Sequence, residues 1–261
     1  LDEITIAEKL KQEGYTTASI GKWHLGGEGY LPTEQGFDLN IAGNHKGMPP
    51  TYYYPYKADS AEIAKKPWLD FEITPLELTG DSLYLTDRLT NEAIEYIHNQ
   101  KDTSFFLYLP YYTVHTPLEG REDLVKKYSQ KVEQSNDSVV RYPHFLAMVE
   151  CMDENVGRII NTLEKLNIRD NTLIIFVSDN GGLLIRGSKE KNEYNRIWAS
   201  WNAPLRAGKG TLYEGGLRVP AIINWPGKIE PGRISDELII STDLFPTIMD
   251  ILDIETQHPV E

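Results

Sequence analysis

Leu85, Leu89, Ala93 and Ile97 recur at four-residue spacing, and this pattern predicts an amphipathic helix over 81–99. A longer apolar stripe, Phe145, Met148, Val149, Met152, Val156, Ile159, Ile160 and Leu163, predicts a second helix over 143–166, with Cys151 and Asp153 beside the stripe. The opening residues predict a short helix over 4–13, with Asp2 as N-cap and Gly14 as its stop, and 244–252 reads as another. Strand-length runs of apolar or β-branched residues fall at 15–20, 105–111, 172–178, 219–224 and 237–240. The alternation of the two element types predicts an α/β fold, a largely parallel sheet flanked by helices. Within it, the unbroken run at 172–178 reads as a parallel strand buried on both faces. Its carboxyl end delivers Asp179-Asn180-Gly181-Gly182, at the edge where such sheets carry their chemistry. Periodicity is lost between 26 and 80, where Gly, Pro and Tyr are frequent, and again from 183 to 210. Both stretches read as long loops of the kind that shape a cleft.

Charge narrows the partners. The 26 basic and 39 acidic residues leave a net charge of −13. That balance excludes binding to nucleic acid or to an anionic membrane through an overall basic surface, while leaving individual lysines free to hold anions in a cleft. The longest apolar runs, 172–177 and 221–225, are far too short to span a bilayer. Cys151 is the only cysteine, so neither an internal disulfide nor a cysteine-based zinc site can form, and its place on an amphipathic helix marks it as a packing residue.

Four clusters could carry chemistry. Lys22 and His24 lie two apart just past the first predicted strand, so in an extended chain both project to one side, a cation beside an imidazole suited to an anion. A solvated lysine and a packed loop histidine would give the same sequence. His115 follows the 105–111 strand within Tyr-Thr-Val-His-Thr-Pro, where Pro117 restricts Thr116 to extended backbone; it is a candidate general acid or base, or else a structural histidine. Asp179 and Asn180 offer two hard oxygen donors for Ca²⁺ or Mg²⁺, or simply a turn, and Ca²⁺ takes about six to eight. Gly208-Lys209-Gly210 sets a lysine between residues that permit close backbone approach, in a spacing and order that exclude a phosphate-cradling P-loop. Glu214 and Arg218, four apart just beyond it, read as a structural clamp.

Together these clusters resemble the type I sulfatase family. Gly-Lys-Trp-His-Leu-Gly at 21–26 is similar to the family's second signature, and His115 in its His-Thr-Pro setting resembles the catalytic histidine. Ser178-Asp179-Asn180-Gly181 is similar to the metal-binding turn, and Lys209 in Gly-Lys-Gly-Thr-Leu-Tyr-Glu-Gly-Gly-Leu-Arg-Val-Pro to the sulfate-binding lysine. The motifs stand in the family's order, and the likeness extends through Asp243-Leu244-Phe245-Pro246-Thr247 over nearly the whole chain. The resemblance implies an alkaline-phosphatase-like fold and hydrolysis of sulfate esters at a Ca²⁺ site. It implies that Asp179 and Asn180 bind Ca²⁺ and that Lys22 and Lys209 hold sulfate oxygens. It also implies that His115 binds substrate and protonates the leaving alcohol, while His24 assists the nucleophile and the later release of sulfate. A cation and two lysines around the non-bridging oxygens form a consistent arrangement for sulfuryl transfer, with a proton donor at the bridging oxygen.

The family's nucleophile is a formylglycine made from Cys or Ser in a Cys/Ser-x-Pro-x-Arg signature ahead of the Gly-Lys-Trp-His stretch. Neither that signature nor the aspartate pair that completes the metal shell occurs in the 261 residues. With Leu1 in place of an initiator methionine and no smaller carboxy-terminal subdomain after Glu261, residues 1–261 are expected to be a partial sulfatase catalytic domain, excised or processed and inactive by itself. The resemblance also implies a periplasmic, secreted or lysosomal location. The expected substrate is sulfated carbohydrate, with Tyr52-Tyr53-Tyr54-Pro55-Tyr56, Trp198 and Trp201 either stacking on sugar rings or packing the loops. Two other functions fit the residues. One is a phosphodiesterase or phosphomutase of the same superfamily, whose two-metal sets the six histidines do not match in spacing; the other is a non-catalytic anion- or glycan-binding module that keeps Lys22, His24, His115 and Lys209.

Overall fold

The computed structural model describes residues 3–71, 73, 84–135, 142–184 and 200–256. The first helix, α1 (Ile6–Gln12), is capped by Thr5 rather than by Asp2, which lies outside the described residues. The Thr5 hydroxyl accepts from the Glu8 N–H at 3.1 Å while the Glu8 carboxylate accepts from the Thr5 N–H at 2.8 Å, and this reciprocal box fixes the start of the helix. Strand β1 (Thr16–Ile20) follows and lies at the centre of a parallel sheet, with β2 (Leu39–Ile41) on one side and β3 (Phe105–Tyr108) on the other. Parallel neighbours need long crossovers, and the chain between β2 and β3 supplies one through α2 (Ser60–Lys65) and α3 (Leu85–Gln100). The stretch from 26 to 80 is therefore not loop throughout, since it holds β2 and α2; a three-residue strand and a six-residue helix are too short to leave a period in the sequence.

Leu85, Leu89 and Ala93 of α3 are buried with Ala18 and Ile20 of β1, and with Ala147, Met148 and Cys151 of α5 (Pro143–Lys165), in one core. On the other face of the sheet, Ala7 of α1 packs with Trp23, Phe37 and Phe106. The sheet is thus parallel and flanked by helices on both faces, as the alternation of elements predicts. Cys151, expected beside the apolar stripe of α5, lies at the centre of its buried face, while Val149 is exposed. The stripe is rotated because α5 packs against both α3 and α4 (Glu122–Gln134), and because the buried Asn155 ties it to α3 by donating to Asp87 Oδ1 at 2.7 Å.

The run at 172–178 forms β4 (Ile174–Val177), but its partner among the described residues is β5 (Ala221–Asn224), and the pair is antiparallel. Nor is the strand buried on both faces, since β4 is only partly buried with Val177 47% exposed and β5 is exposed along its length; an apolar run fixes neither the direction of its neighbour nor what covers it, so the expectation of a fully buried parallel strand is corrected here. The run at 237–240 is likewise not a strand in the structure. The helices α6 (Glu214–Leu217) and α7 (Leu244–Ile251) complete the described elements.

Gly21, where β1 ends, has φ +128, and a Cβ placed there would lie 2.2 Å from the Pro110 carbonyl oxygen. Gly21→Ala is expected to cost about 1–3 kcal/mol from backbone strain alone, with the clash adding to it. A lowered midpoint at unchanged slope in urea unfolding would be the signature.

Candidate active site

Two backbone hydrogen bonds carry the ladders of the parallel sheet past the end of β1. The Gly21 N–H donates to Ile41 O at 2.8 Å and the Lys22 N–H to Pro110 O at 2.7 Å, so Lys22 stands at the carboxyl edge between the ends of β2 and β3. Its ammonium reaches across to β4, with Nζ 3.8 Å from Asp179 Oδ2. The lysine side chain is 15% exposed and the aspartate 70%, so the pair opens to solvent on the carboxylate side and leaves that carboxylate accessible to a ligand. Burial holds the Lys22 pKa below its ordinary value; the Lys209 charge adds to this and Asp179 opposes it.

His115 lies in the loop after β3. Its Nδ1 is 3.0 Å from Thr116 O, and as an N–H donor there it leaves Nε2 as the ring nitrogen able to carry the second proton. Burial lowers the His115 pKa below 6.5, and the charges of Lys209 and Lys22 lower it further against a weaker pull from Asp179. The charges of Asp179 and Lys209 thus act on both Lys22 and His115, although the four come from widely separated parts of the sequence.

A seam of glycines holds the Asp179 and Lys209 loops together. The Lys209 N–H donates to Gly182 O at 3.1 Å and the Gly181 N–H to Gly216 O at 3.0 Å. Asn202 Nδ2 donates to Gly182 O at 2.9 Å and Ala207 O at 3.0 Å. A Cβ at Gly181 would meet Gly215 O at 1.8 Å and one at Gly208 would meet Gly182 O at 2.3 Å, so the main chains touch where side chains would normally separate them. Asn180 donates from Nδ2 to Gly181 O at 3.0 Å.

His24 is less integrated. Its side chain is exposed, its N–H donates to Asn44 O at 3.0 Å, and its ring packs close over Gly47. Among the described residues no hydrogen bond or ion pair links that ring to the other four. Glu214 and Arg218 do pair, at 3.6 Å, but both side chains are about seven-tenths exposed, 68% and 70%, so theirs is a surface contact rather than a buried clamp. Tyr52 and Tyr56 are buried and therefore pack the loop rather than offer sugar platforms; Tyr54 and Trp201 are exposed, and Trp198 lies outside the described residues.

The sulfatase family profile matches residues 1–254. The chain belongs to the sulfatase family. It is 32% identical to a sulfatase of Formosa agariphila over 310 residues, covering 99% of this chain and 51% of that protein. To the N-acetylgalactosamine-6-sulfatase of Rattus norvegicus it is 33% identical over 258 residues, covering 95% and 44%. The crystal structure of Ps i-CgsB in complex with k-i-k-neocarrahexaose superposes with a TM-score of 0.76 at 30% identity, over 98% of this chain and 55% of that one. The chain thus spans about half the length of the sulfatases it matches.

As calcium ligands, Asp179 and Asn180 have the right chemistry, an exposed carboxylate and an amide oxygen side by side. Among the described residues no group of three or more His, Cys, Asp or Glu side chains gathers as a metal cluster, so these two could supply at most part of a Ca²⁺ shell. The formylglycine has no fitting position in the chain. Cys151 is fully buried against Asp87 and Asn155 on α5, and burial, reinforced by Asp87, pushes its thiol up to about 12.

Proposed function

We propose that this sulfatase-family chain provides the anion-holding and proton-donating side of an active site that hydrolyses sulfate esters on carbohydrate. The observation that carries the reading is the 3.8 Å contact of Lys22 with Asp179, and the electrostatic effect of both lysines on His115 supports placing Lys209 and His115 with them. Two ammonium groups, one of them largely buried, favour a sulfate group over the bare alcohol product. Lys22 and Lys209 would hold the non-bridging oxygens, and His115 Nε2 would deliver a proton to the bridging oxygen as the S–O bond breaks. His24, on the turn after Lys22, would assist the release of sulfate. Asp179 and Asn180 would hold Ca²⁺, which when bound adds positive charge at the sulfate oxygens. No step is assigned to a nucleophile of this chain, because Cys151 does not fit that role; residues 1–254 are read as part of a catalytic domain whose nucleophile lies elsewhere in the protein.

Carbohydrate as the substrate rests on the relatives: one is named an N-acetylgalactosamine-6-sulfatase and another was crystallised in complex with k-i-k-neocarrahexaose. The complete gene product, given a sulfated galactan or N-acetylgalactosamine 6-sulfate, is expected to release inorganic sulfate, to lose that activity to a chelator and to regain it with Ca²⁺. Residues 1–261 alone are expected to release none. Turnover by the isolated chain would overturn the placement of the nucleophile, and release of phosphate but not sulfate from matched esters would overturn the reaction.

A further inference from the structure

The loop that carries His115 is held at four of its main-chain carbonyls by the hydroxyls of three tyrosines. Tyr52 donates to Tyr112 O at 2.7 Å and to His115 O at 2.9 Å, a hydroxyl shared between the two ends of one turn. That turn is closed by the His115 N–H, which itself donates to Tyr112 O at 2.9 Å. Farther along, Tyr84 donates to Glu119 O at 2.7 Å and Tyr53 to Gly120 O at 3.0 Å. The Tyr52 ring is wholly buried and stacks on Tyr84 with centroids 5.7 Å apart at 22°, so its hydroxyl is aimed by packing on all sides. Its backbone is fixed as well, since the Tyr52 N–H donates to Glu119 Oε2 at 2.9 Å while the Thr51 hydroxyl donates to the same oxygen at 2.7 Å. The Tyr52 hydroxyl and N–H therefore both anchor on the 112–120 loop, while its carbonyl accepts from the Leu85 N–H at 2.8 Å.

We propose that Tyr52 is a positioning residue for the proton donor of the reaction: its hydroxyl, by holding the carbonyls of Tyr112 and His115, fixes the imidazole of His115 at the leaving-group oxygen. The proposal rests on the reading of His115 as general acid. Tyr52 is too deeply buried to touch substrate, so its effect travels through the orientation of His115 alone. Binding through Lys22 and Lys209 does not pass through this turn, and neither does the nucleophilic step. Loss of the hydroxyl should misdirect the proton and leave substrate affinity in place, and a displacement of this kind in a catalytic group costs on the order of ten- to a hundredfold in rate.

Leaving groups of different basicity separate this role from a general loosening of the loop. A sugar alkoxide needs its proton in the transition state, whereas nitrophenolate departs without one. In the complete gene product, Tyr52→Phe is expected to lower kcat on a sugar sulfate about tenfold or more, with KM little changed, and to leave nitrophenyl sulfate hydrolysis within about twofold of the parent. The ring and its stack on Tyr84 are retained in this variant, and a thermal melt verifies that it is folded at the assay temperature. Tyr84→Phe removes another hydroxyl from the same loop, four residues beyond His115, and is expected to slow neither substrate selectively. Equal losses on both substrates in Tyr52→Phe, or the same pattern in Tyr84→Phe, would show a merely structural tyrosine and overturn the proposal. His115→Ala on the same two esters tests the underlying reading separately. If it shows no dependence on the leaving group, His115 is not the general acid; if it does and Tyr52→Phe does not, the positioning role alone falls.

Discussion

His115→Ala in the complete gene product is expected to lower kcat on a sugar sulfate by about 10²–10⁴-fold, the range over which a positioned general acid acts. The pH profile should report the same group. Burial and the charges of Lys209 and Lys22 hold the free imidazole below 6.5, so the protonated form needed for catalysis prevails only on the acid side of that value. The parent's kcat/KM should therefore fall as pH rises through this lowered pKa. A bound sulfate ester brings negative charge that offsets the two lysines, so the corresponding limb in kcat should lie at higher pH than the limb in kcat/KM. In His115→Ala both limbs should disappear. A variant that loses rate but keeps the limb would assign the titration to another group.

Lys209→Ala should lower kcat/KM by about 10²–10³-fold, as expected when one preorganised charge is removed from around a developing anion. Its backbone place is fixed by the bond to Gly182 O and by the seam at Gly208, and these contacts involve main chain, so the substitution removes charge without moving the loop. A second readout follows from the same geometry. Lys209 lowers the pKa of both His115 and Lys22, so its removal should shift both upward. The acid limb of kcat/KM would then move to higher pH in Lys209→Ala, and NMR titration of His115 would show the same displacement. Lys209→Arg should restore the pKa of His115 while recovering activity only in part, because a guanidinium fork does not occupy the place of a compact ammonium.

What could be read in the sequence followed what each residue needs. The stripe of α3 was legible because that helix buries one face against a single core, whereas α4 was not, since Leu124 is its one buried residue among the described positions and only Val125 and Tyr128 pack beside it. On α5 the stripe was placed but turned, because two neighbouring helices and the buried Asn155 share its inner face. The direction of β4 was not written in an apolar run that suits either kind of partner. At the site, Lys22, His115, Asp179 and Lys209 could be picked out because each stands in a short motif just beyond a strand or between glycines, and the fold brings them together. Tyr52 could not, since its hydrogen bonds go to main-chain atoms some 60 residues away and impose no local spacing. The tyrosine cluster showed only that aromatic rings were abundant; which of them were anchors depended on the loop they grip.

The glycine seam bears on how such an enzyme could change its preference. With main chain pressed against main chain from Gly181 to Gly216, the segments bearing Asp179 and Lys209 behave as one casting, and neither can be re-aimed without breaking the other. On the proposed reading, diversification toward a new sugar would fall to exposed side chains such as those of Leu212 and Tyr213. On that reading the sulfate end of the substrate would meet a fixed die, and the sugar end the part of the surface that can be recut.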